Sequence, residues 1–191
     1  MTRPAFESVR EPLWRALVDA AAISASEPWT GERVEARHAG WTLVLDSYRI
    51  PVEKFAHTRM VVALPSAGFR FRLVEPDALS WLGTLFGLLD IEIGDDAFDH
   101  KWLIKSNSPP RIRALLADRV LRDQIDALDH CAISLEADLG RLDPERDEAE
   151  RWDELVLVRA ELQTGTAELR AMFELLANTI VRLEALAASS A

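Results

Sequence analysis

The alternation of apolar and polar residues along the chain predicts a set of strands. Phe69, Phe71 and Leu73 fall on one face of a strand, and Arg70 and Arg72 fall on the other. The same pattern predicts strands over residues 33–38, 41–46, 58–64, 91–93, 98–106, 131–135 and 155–162. Turn residues predict hairpins between the first two of these, at Gly40, and between 58–64 and 69–74, over residues 65–68.

Helical spacing predicts a long helix at the end of the chain. Apolar residues recur with helical period over 167–187, and Thr164-Gly-Thr166 precedes them as a helix start. Shorter helices are predicted over 12–23 and 78–89, from Pro109 or Pro110 to Leu116, and over a continuation to Leu128 that Asp118 caps.

The order of these elements predicts an α+β fold. Hairpins that alternate with helices favour an antiparallel sheet of about eight strands, with helices packed on one face and a long C-terminal helix. Residues 1–32 form an N-terminal amphipathic helix and linker, and residues 33–191 form one α+β domain. The acidic segment 140–151 is almost without apolar residues and is predicted to be a mobile excursion. Phe71, Trp102 and Phe173 are predicted to share one core.

Composition and charge restrict the possible partners and the location. The net charge of the 191 residues is −10, which disfavours nucleic acid because phosphates need an attractive field. Apolar runs fall short of the ~20 residues that cross a bilayer, so no membrane is expected. The single Cys131 cannot form an internal disulfide and alternates with buried positions. A cytoplasmic location and a structural thiol are therefore predicted.

One segment resembles a pattern found in bacterial soluble domains of unknown function. In those domains an Asp-x-x-Phe-Asp turn leads into a strand ending Lys-Ser/Gly-Asn, and a helix ending Leu-Leu follows. The matching residues here are Asp95, Phe98, Asp99, Lys105, Asn107 and Leu115-Leu116, with Trp41, Asp46, Thr58 and Arg59 upstream. The resemblance covers roughly residues 33–186. It implies a soluble α+β domain and carries no activity or catalytic residues.

Basic residues on the predicted strands form a candidate ligand-binding face. They are Arg59, Arg70, Arg72, Lys101 and Lys105, each at a position that alternates with core residues. If they share the solvent face of the sheet, they form a patch for a small anionic ligand. The alternative is an ordinary solvated face neutralised by Glu35, Glu92 and Glu136.

A cluster of carboxylates near Gly94 is a candidate metal site. Asp95, Asp96, Asp99 and His100 carry groups that bind divalent cations. The same aspartates can instead bond the backbone N–H groups of a tight turn, and this interpretation is favoured. No metal and no cofactor are therefore predicted, and no catalytic motif is evident.

The sequence leaves three functional hypotheses open. The leading one is a binding or protein-interaction module with an unknown protein or a small anionic ligand as its partner. A wide apolar stripe on the last helix leaves a homo-oligomer possible. One alternative is a small-molecule carrier with a pocket between the sheet and the C-terminal helix. The other is a metal-dependent hydrolase that uses Asp95, Asp99 and His100.

Overall fold

A computed structural model describes residues 24–25, 33–38, 40–49, 56–76, 88–137, 152–161, 163 and 165–189. The described strands are β1 (Ser24–Ala25), β2 (Arg33–His38), β3 (Trp41–Arg49), β4 (Ala56–Pro65), β5 (Phe71–Val74), β6 (Leu89–Asp90), β7 (Leu103–Ser106), β8 (Cys131–Ala137) and β9 (Trp152–Arg159). The described helices are α1 (Asp96–Lys101), α2 (Pro109–Leu116), α3 (Arg119–Asp126) and α4 (Thr166–Ala188).

All the described strands join one antiparallel sheet. Their order across the sheet is β1-β2-β3-β4-β9-β8-β5-β7-β6. Seven of these nine strands have four or more residues, and β1 and β6 have two each. The predicted α+β class and the sheet of about eight antiparallel strands are confirmed.

One predicted hairpin is confirmed and the other is wrong. Strands β2 and β3 pair across Gly40, whose φ of 88° suits glycine. Strands β4 and β5 do not pair, because β4 lies between β3 and β9, and β5 lies between β8 and β7. Residues 131–135 of β8 and 153–158 of β9 are all buried. Strands buried on both faces occupy the centre of a sheet, and here they separate β4 from β5.

The predicted strand over residues 98–106 is partly wrong. Its first part belongs to α1, and the strand runs only over Leu103–Ser106. Helix α1 begins at Asp96 because Asp95 is its N-cap. The Asp95 side chain accepts a hydrogen bond from Phe98 N at 3.3 Å. Trp102 is the C-cap residue of α1 and does not lie in a strand.

The later helix boundaries were predicted more closely. Helix α2 begins at Pro109. Helix α3 is capped by Asp118, whose Oδ1 accepts hydrogen bonds from Val120 N at 2.8 Å and Leu121 N at 3.2 Å. The long C-terminal helix is confirmed as α4, although its N-cap is Gly165 and no side chain caps it.

The helices pack on one face of the sheet around a single large core. Phe71, Trp102 and Phe173 all belong to this core, as predicted. On the opposite face, Val61, Val156 and Val158 form a separate buried cluster that contains no residue of α1 to α4. The described helices therefore lie on one face, with α4 across the sheet.

Several predictions fall outside the described residues. These are the helix over 12–23, most of the helix over 78–89 and the acidic excursion over 140–151. Two short strands at the edges of the sheet were not predicted. Leu89, predicted as a helix end, lies in β6, and Ser24–Ala25, predicted as part of a linker, pair with β2. Among the described helices, none is both long and apolar enough to cross a bilayer.

Candidate functional site

The five basic residues predicted to share a sheet face are dispersed. Arg59 in β4, Arg72 in β5 and Lys105 in β7 alternate with core residues and lie on the face away from the helices. Lys101 lies in α1, so its predicted place on a strand is wrong, and Arg70 precedes the first residue of β5. Arg72 and Lys105 are cross-strand neighbours, whereas β9 and β8 separate Arg59 from them. The structure therefore brings only two of the five together on the sheet.

Each of the three cations on that sheet face pairs with a carboxylate. The pairs are Arg59 with Asp46, Arg72 with Glu136, and Lys105 Nζ with Asp90 Oδ1 at 2.7 Å. Glu136 is one of the glutamates expected to neutralise this face, so the structure favours that alternative. An anionic ligand would have to compete with these carboxylates, which weakens the case for a basic binding patch.

The aspartates near Gly94 bind backbone N–H groups. Asp99 Oδ1 accepts a hydrogen bond from Ile93 N at 2.9 Å, and Asp99 Oδ2 accepts one from Gly94 N at 2.9 Å. Asp95 caps α1 as described above. Both carboxylates thus stabilise the turn and helix start that contain Gly94, whose φ is 85°.

The other two residues of the candidate metal site do not lie with these carboxylates. Asp96 and His100 are exposed on α1. Within the described ranges, no group of three histidine, cysteine, aspartate or glutamate side chains is placed to hold a metal ion.

Two adjoining cavities lie between the sheet and the second half of α4. The first, of about 160 Å³, is lined by Trp41, Leu43, Val62, Phe173, Ala177, Ile180, Val181 and Glu184. The second, of about 170 Å³, is lined by Trp41, Leu64, Pro65, Ala67, Phe69, Arg111, Leu135, Asp153, Ile180, Leu183, Glu184 and Ala187. Trp41, Ile180 and Glu184 border both cavities, so the two lie side by side, and together they are called the recess below.

The recess lies beside small or exposed side chains of α4. Leu169 and Leu176, nearer the start of the helix, are fully buried. Further along, the small side chain of Ala177 faces the sheet and Val181 is 58% exposed. Trp41, at the start of β3, is only partly buried and lies at the border of both cavities. The helix thus leaves space over β3 and β4 that side chains do not fill.

The second cavity contains a few polar groups in an otherwise apolar wall. The Arg111 guanidinium lies 4.6 Å from the centre of the Phe69 ring, and its Nη1 donates to Ala67 O at 3.0 Å. Its Nε is buried and has no hydrogen-bond partner. Asp153 is almost fully buried and its Oδ1 lies 2.6 Å from Nη1 of Arg70. Asp153 Oδ1 accepts no hydrogen bond from a described residue, although it is ion-paired with Arg70. The wall therefore combines apolar surface with one buried donor and one buried acceptor that lack hydrogen-bond partners.

The sequence named a sheet–helix pocket as an alternative but identified none of its lining residues. Trp41 is partly buried, packs against the core and borders both cavities. The available signal was Ala177, a small residue in the core-facing stripe of α4 between Phe173 and Ile180. The sequence did not predict that Arg111 lines the recess, because its position depends on how α2 packs against the loop after β4.

Cys131 is not placed to act as a nucleophile. Its side chain is fully buried, and this burial raises the pKa of the thiol to about 12. A thiol that stays protonated at neutral pH is a poor nucleophile. The predicted structural role fits this environment.

Comparison of the chain with protein-family models, with curated proteins and with solved structures finds no match. The function must therefore be inferred from the site itself.

Proposed function

We propose that this protein is a non-catalytic binding protein that carries a small apolar molecule between its sheet and its C-terminal helix. The observation that supports this proposal is the pair of adjoining cavities under the second half of α4. Natural sites for small ligands are concave, mostly apolar and furnished with a few polar groups, and the recess has all three properties.

The size of the recess limits the ligand. An apolar cavity of ~150 Å³ in another protein accommodates benzene. Each cavity here has a similar volume, about 160 and 170 Å³. A ligand that spans both would have about a dozen non-hydrogen atoms. Together the cavities reach the lower end of the ~300–1,000 Å³ range of ligand sites, so the ligand is small.

The lining supplies the affinity and a route of entry. Leu43, Val62 and Phe173 present apolar surface, and burial of a ligand against it gains ~25 cal/mol per Å². Val181 is exposed at the edge of the first cavity, and Trp41 is partly buried beside it. A ligand can thus enter from the solvent side of α4 without separation of the helix from the sheet.

A neutral apolar dye of the size that the recess accepts, 1-naphthylamine, tests the proposal. It is expected to gain fluorescence on binding to the wild-type protein and to quench tryptophan emission. Ala177→Leu places a larger side chain in the first cavity and should weaken dye binding by about tenfold. Ala185→Leu makes the same change on the exposed side of α4 and should leave binding unchanged. Absence of binding to the wild type, or equal binding by both variants, would overturn the proposal.

The other hypotheses have less support. A hydrolase that uses Asp95 and Asp99 would require carboxylates that are already bonded to backbone N–H groups. A protein-interaction module remains compatible with exposed Val181, but the volume and apolar lining of the two cavities favour a small ligand. The proposal includes a cytoplasmic location, which rests on the single, buried Cys131.

A further inference from the structure

We propose that the ligand is an amphipathic carboxylate whose acid group binds Arg111 in the second cavity and whose apolar chain fills the first. This inference rests on the proposed function, because it names the class of molecule that the same recess takes. Three features of the recess support it: the charge of Arg111, which no described carboxylate pairs, the compensated charge of Asp153, and the apolar wall of the neighbouring cavity.

Arg111 presents a cation that an acidic ligand would neutralise. Its Nη1 is held by Ala67 O and its guanidinium is stacked on Phe69, so the side chain is fixed in place. Its Nε is buried with no acceptor among the described residues and is out of reach of solvent, so an acid group would bind the terminal Nη atoms. Among the described carboxylates, none forms an ion pair with Arg111. A guanidinium in this state prefers a carboxylate, which matches its geometry.

The two acidic residues of the recess do not cancel this preference. Asp153 is 2% exposed, and Arg70 Nη1 lies 2.6 Å from its Oδ1, so its charge is already compensated. Glu184 is exposed on α4 at the border of the two cavities, where water screens its charge. The uncompensated charge inside the second cavity is therefore the positive charge of Arg111.

The position of Arg111 also orients the ligand. Arg111 lines the second cavity and not the first. Apart from Glu184, the described residues that line the first cavity are apolar, and Phe173 lies at its far end along α4. A carboxylate at Arg111 would therefore direct an alkyl chain past Trp41 and Ile180 towards Phe173. A chain that fills both cavities matches the size of decanoate.

Titration of the wild-type protein with decanoate, 1-decanol and decylamine at pH 7 tests the head-group preference. The three probes share the alkyl chain and differ in charge, and binding is followed by calorimetry and by tryptophan emission. Decanoate is expected to bind about tenfold more tightly than 1-decanol, which is the effect of one charge-assisted hydrogen bond. Decylamine should bind most weakly, because its ammonium group would meet Arg111.

Two matched variants locate the acid group. Arg111→Gln should remove the preference for decanoate over 1-decanol, and binding of the dye to this variant reports whether the recess is intact. Arg113→Gln removes the same charge from the exposed side of α2 and should leave all three affinities unchanged. Glu184→Gln should strengthen decanoate binding slightly, because it removes a repulsive charge at the cavity border.

The outcomes separate this inference from the proposed function. If 1-naphthylamine and all three probes fail to bind, both proposals are wrong. If the dye binds but decanoate and 1-decanol bind equally, only the head-group inference is wrong. If the wild type binds decylamine most tightly and Glu184→Gln loses that preference, the inference of an acidic ligand is wrong and the ligand is a cation. Should Arg111→Gln fail to fold, the order of the three wild-type affinities decides the question.

Discussion

The indole of Trp102 and the carboxylate of Asp126 are joined by a hydrogen bond in which Nε1 donates to Oδ1 at 2.6 Å. Trp102 closes α1, and Asp126 is the last residue of α3. The Trp102 ring is 2% exposed and packs against Phe98 at a centroid distance of 6.1 Å. The bond therefore satisfies the polar edge of a core aromatic ring and fixes α1 against α3.

Loss of this acceptor should destabilise the protein. Asp126→Ala leaves the indole N–H of Trp102 buried without a partner, and we expect the free energy of unfolding to fall by ~1–3 kcal/mol. Asp126→Asn keeps a side-chain oxygen at the same position, and its free energy of unfolding should fall clearly less. Urea denaturation of both variants measures the difference, and equal losses would show that the bond to Trp102 is not the cause.

Local signals in the sequence predicted local structure well. Asp118 before an apolar stripe predicted the start of α3, and its carboxylate caps that helix. Gly40 between two alternating segments predicted the β2–β3 hairpin. In both cases the residues that decide the structure are neighbours in the chain, so a single sequence contains the information.

Pairing between distant strands could not be predicted in the same way. The loop over residues 65–68 resembled a hairpin turn, but β4 pairs with β9, about a hundred residues further along. Alternation shows which face of a strand is apolar and does not show which strand lies beside it. The recess depends on the same kind of information, because the distance from Ala177 to Val62 follows from the packing of α4 on the finished sheet.

Phe173 contributes to the core and to the wall of the first cavity. Phe173→Ala should lower the free energy of unfolding by ~3–5 kcal/mol, as other truncations of buried aromatic residues do. Val181→Ala, at an exposed position on the same helix, should change it by less than ~0.5 kcal/mol. Denaturant melts measure both values. A loss well under ~1 kcal/mol in Phe173→Ala would contradict its place in the core.

Cys131 should make stability depend on pH in alkaline solution. The thiol loses its proton near pH 9.0 when exposed, whereas burial raises its pKa to about 12 in the folded protein. Between these values the folded state binds the additional proton. The stabilisation is therefore complete below pH 9 and is lost as the pH rises from 9 towards 12.

Comparison with Cys131→Ala isolates this effect from other titrating groups. The free energy of unfolding of the wild type should fall relative to that of Cys131→Ala by roughly 1 kcal/mol between roughly pH 8 and pH 10. Urea denaturation at the two pH values measures it. A difference that does not change with pH would mean that the thiol is not desolvated in the folded protein.

Asp99 should stabilise its turn without a metal ion. Its two carboxylate oxygens accept hydrogen bonds from Ile93 N and Gly94 N, so Asp99→Ala should cost ~1–3 kcal/mol. Asp96→Ala, at an exposed position of the same helix, is the control and should stay within ~0.5 kcal/mol. The melting temperature of the wild type should be the same in EDTA and in added Mg²⁺, Mn²⁺ or Zn²⁺, because a bound metal would raise it by mass action. The prediction would be contradicted if the purified protein contained a metal that Asp99→Ala lacks, and if EDTA removed that metal and lowered the melting temperature. That result would support the hydrolase hypothesis.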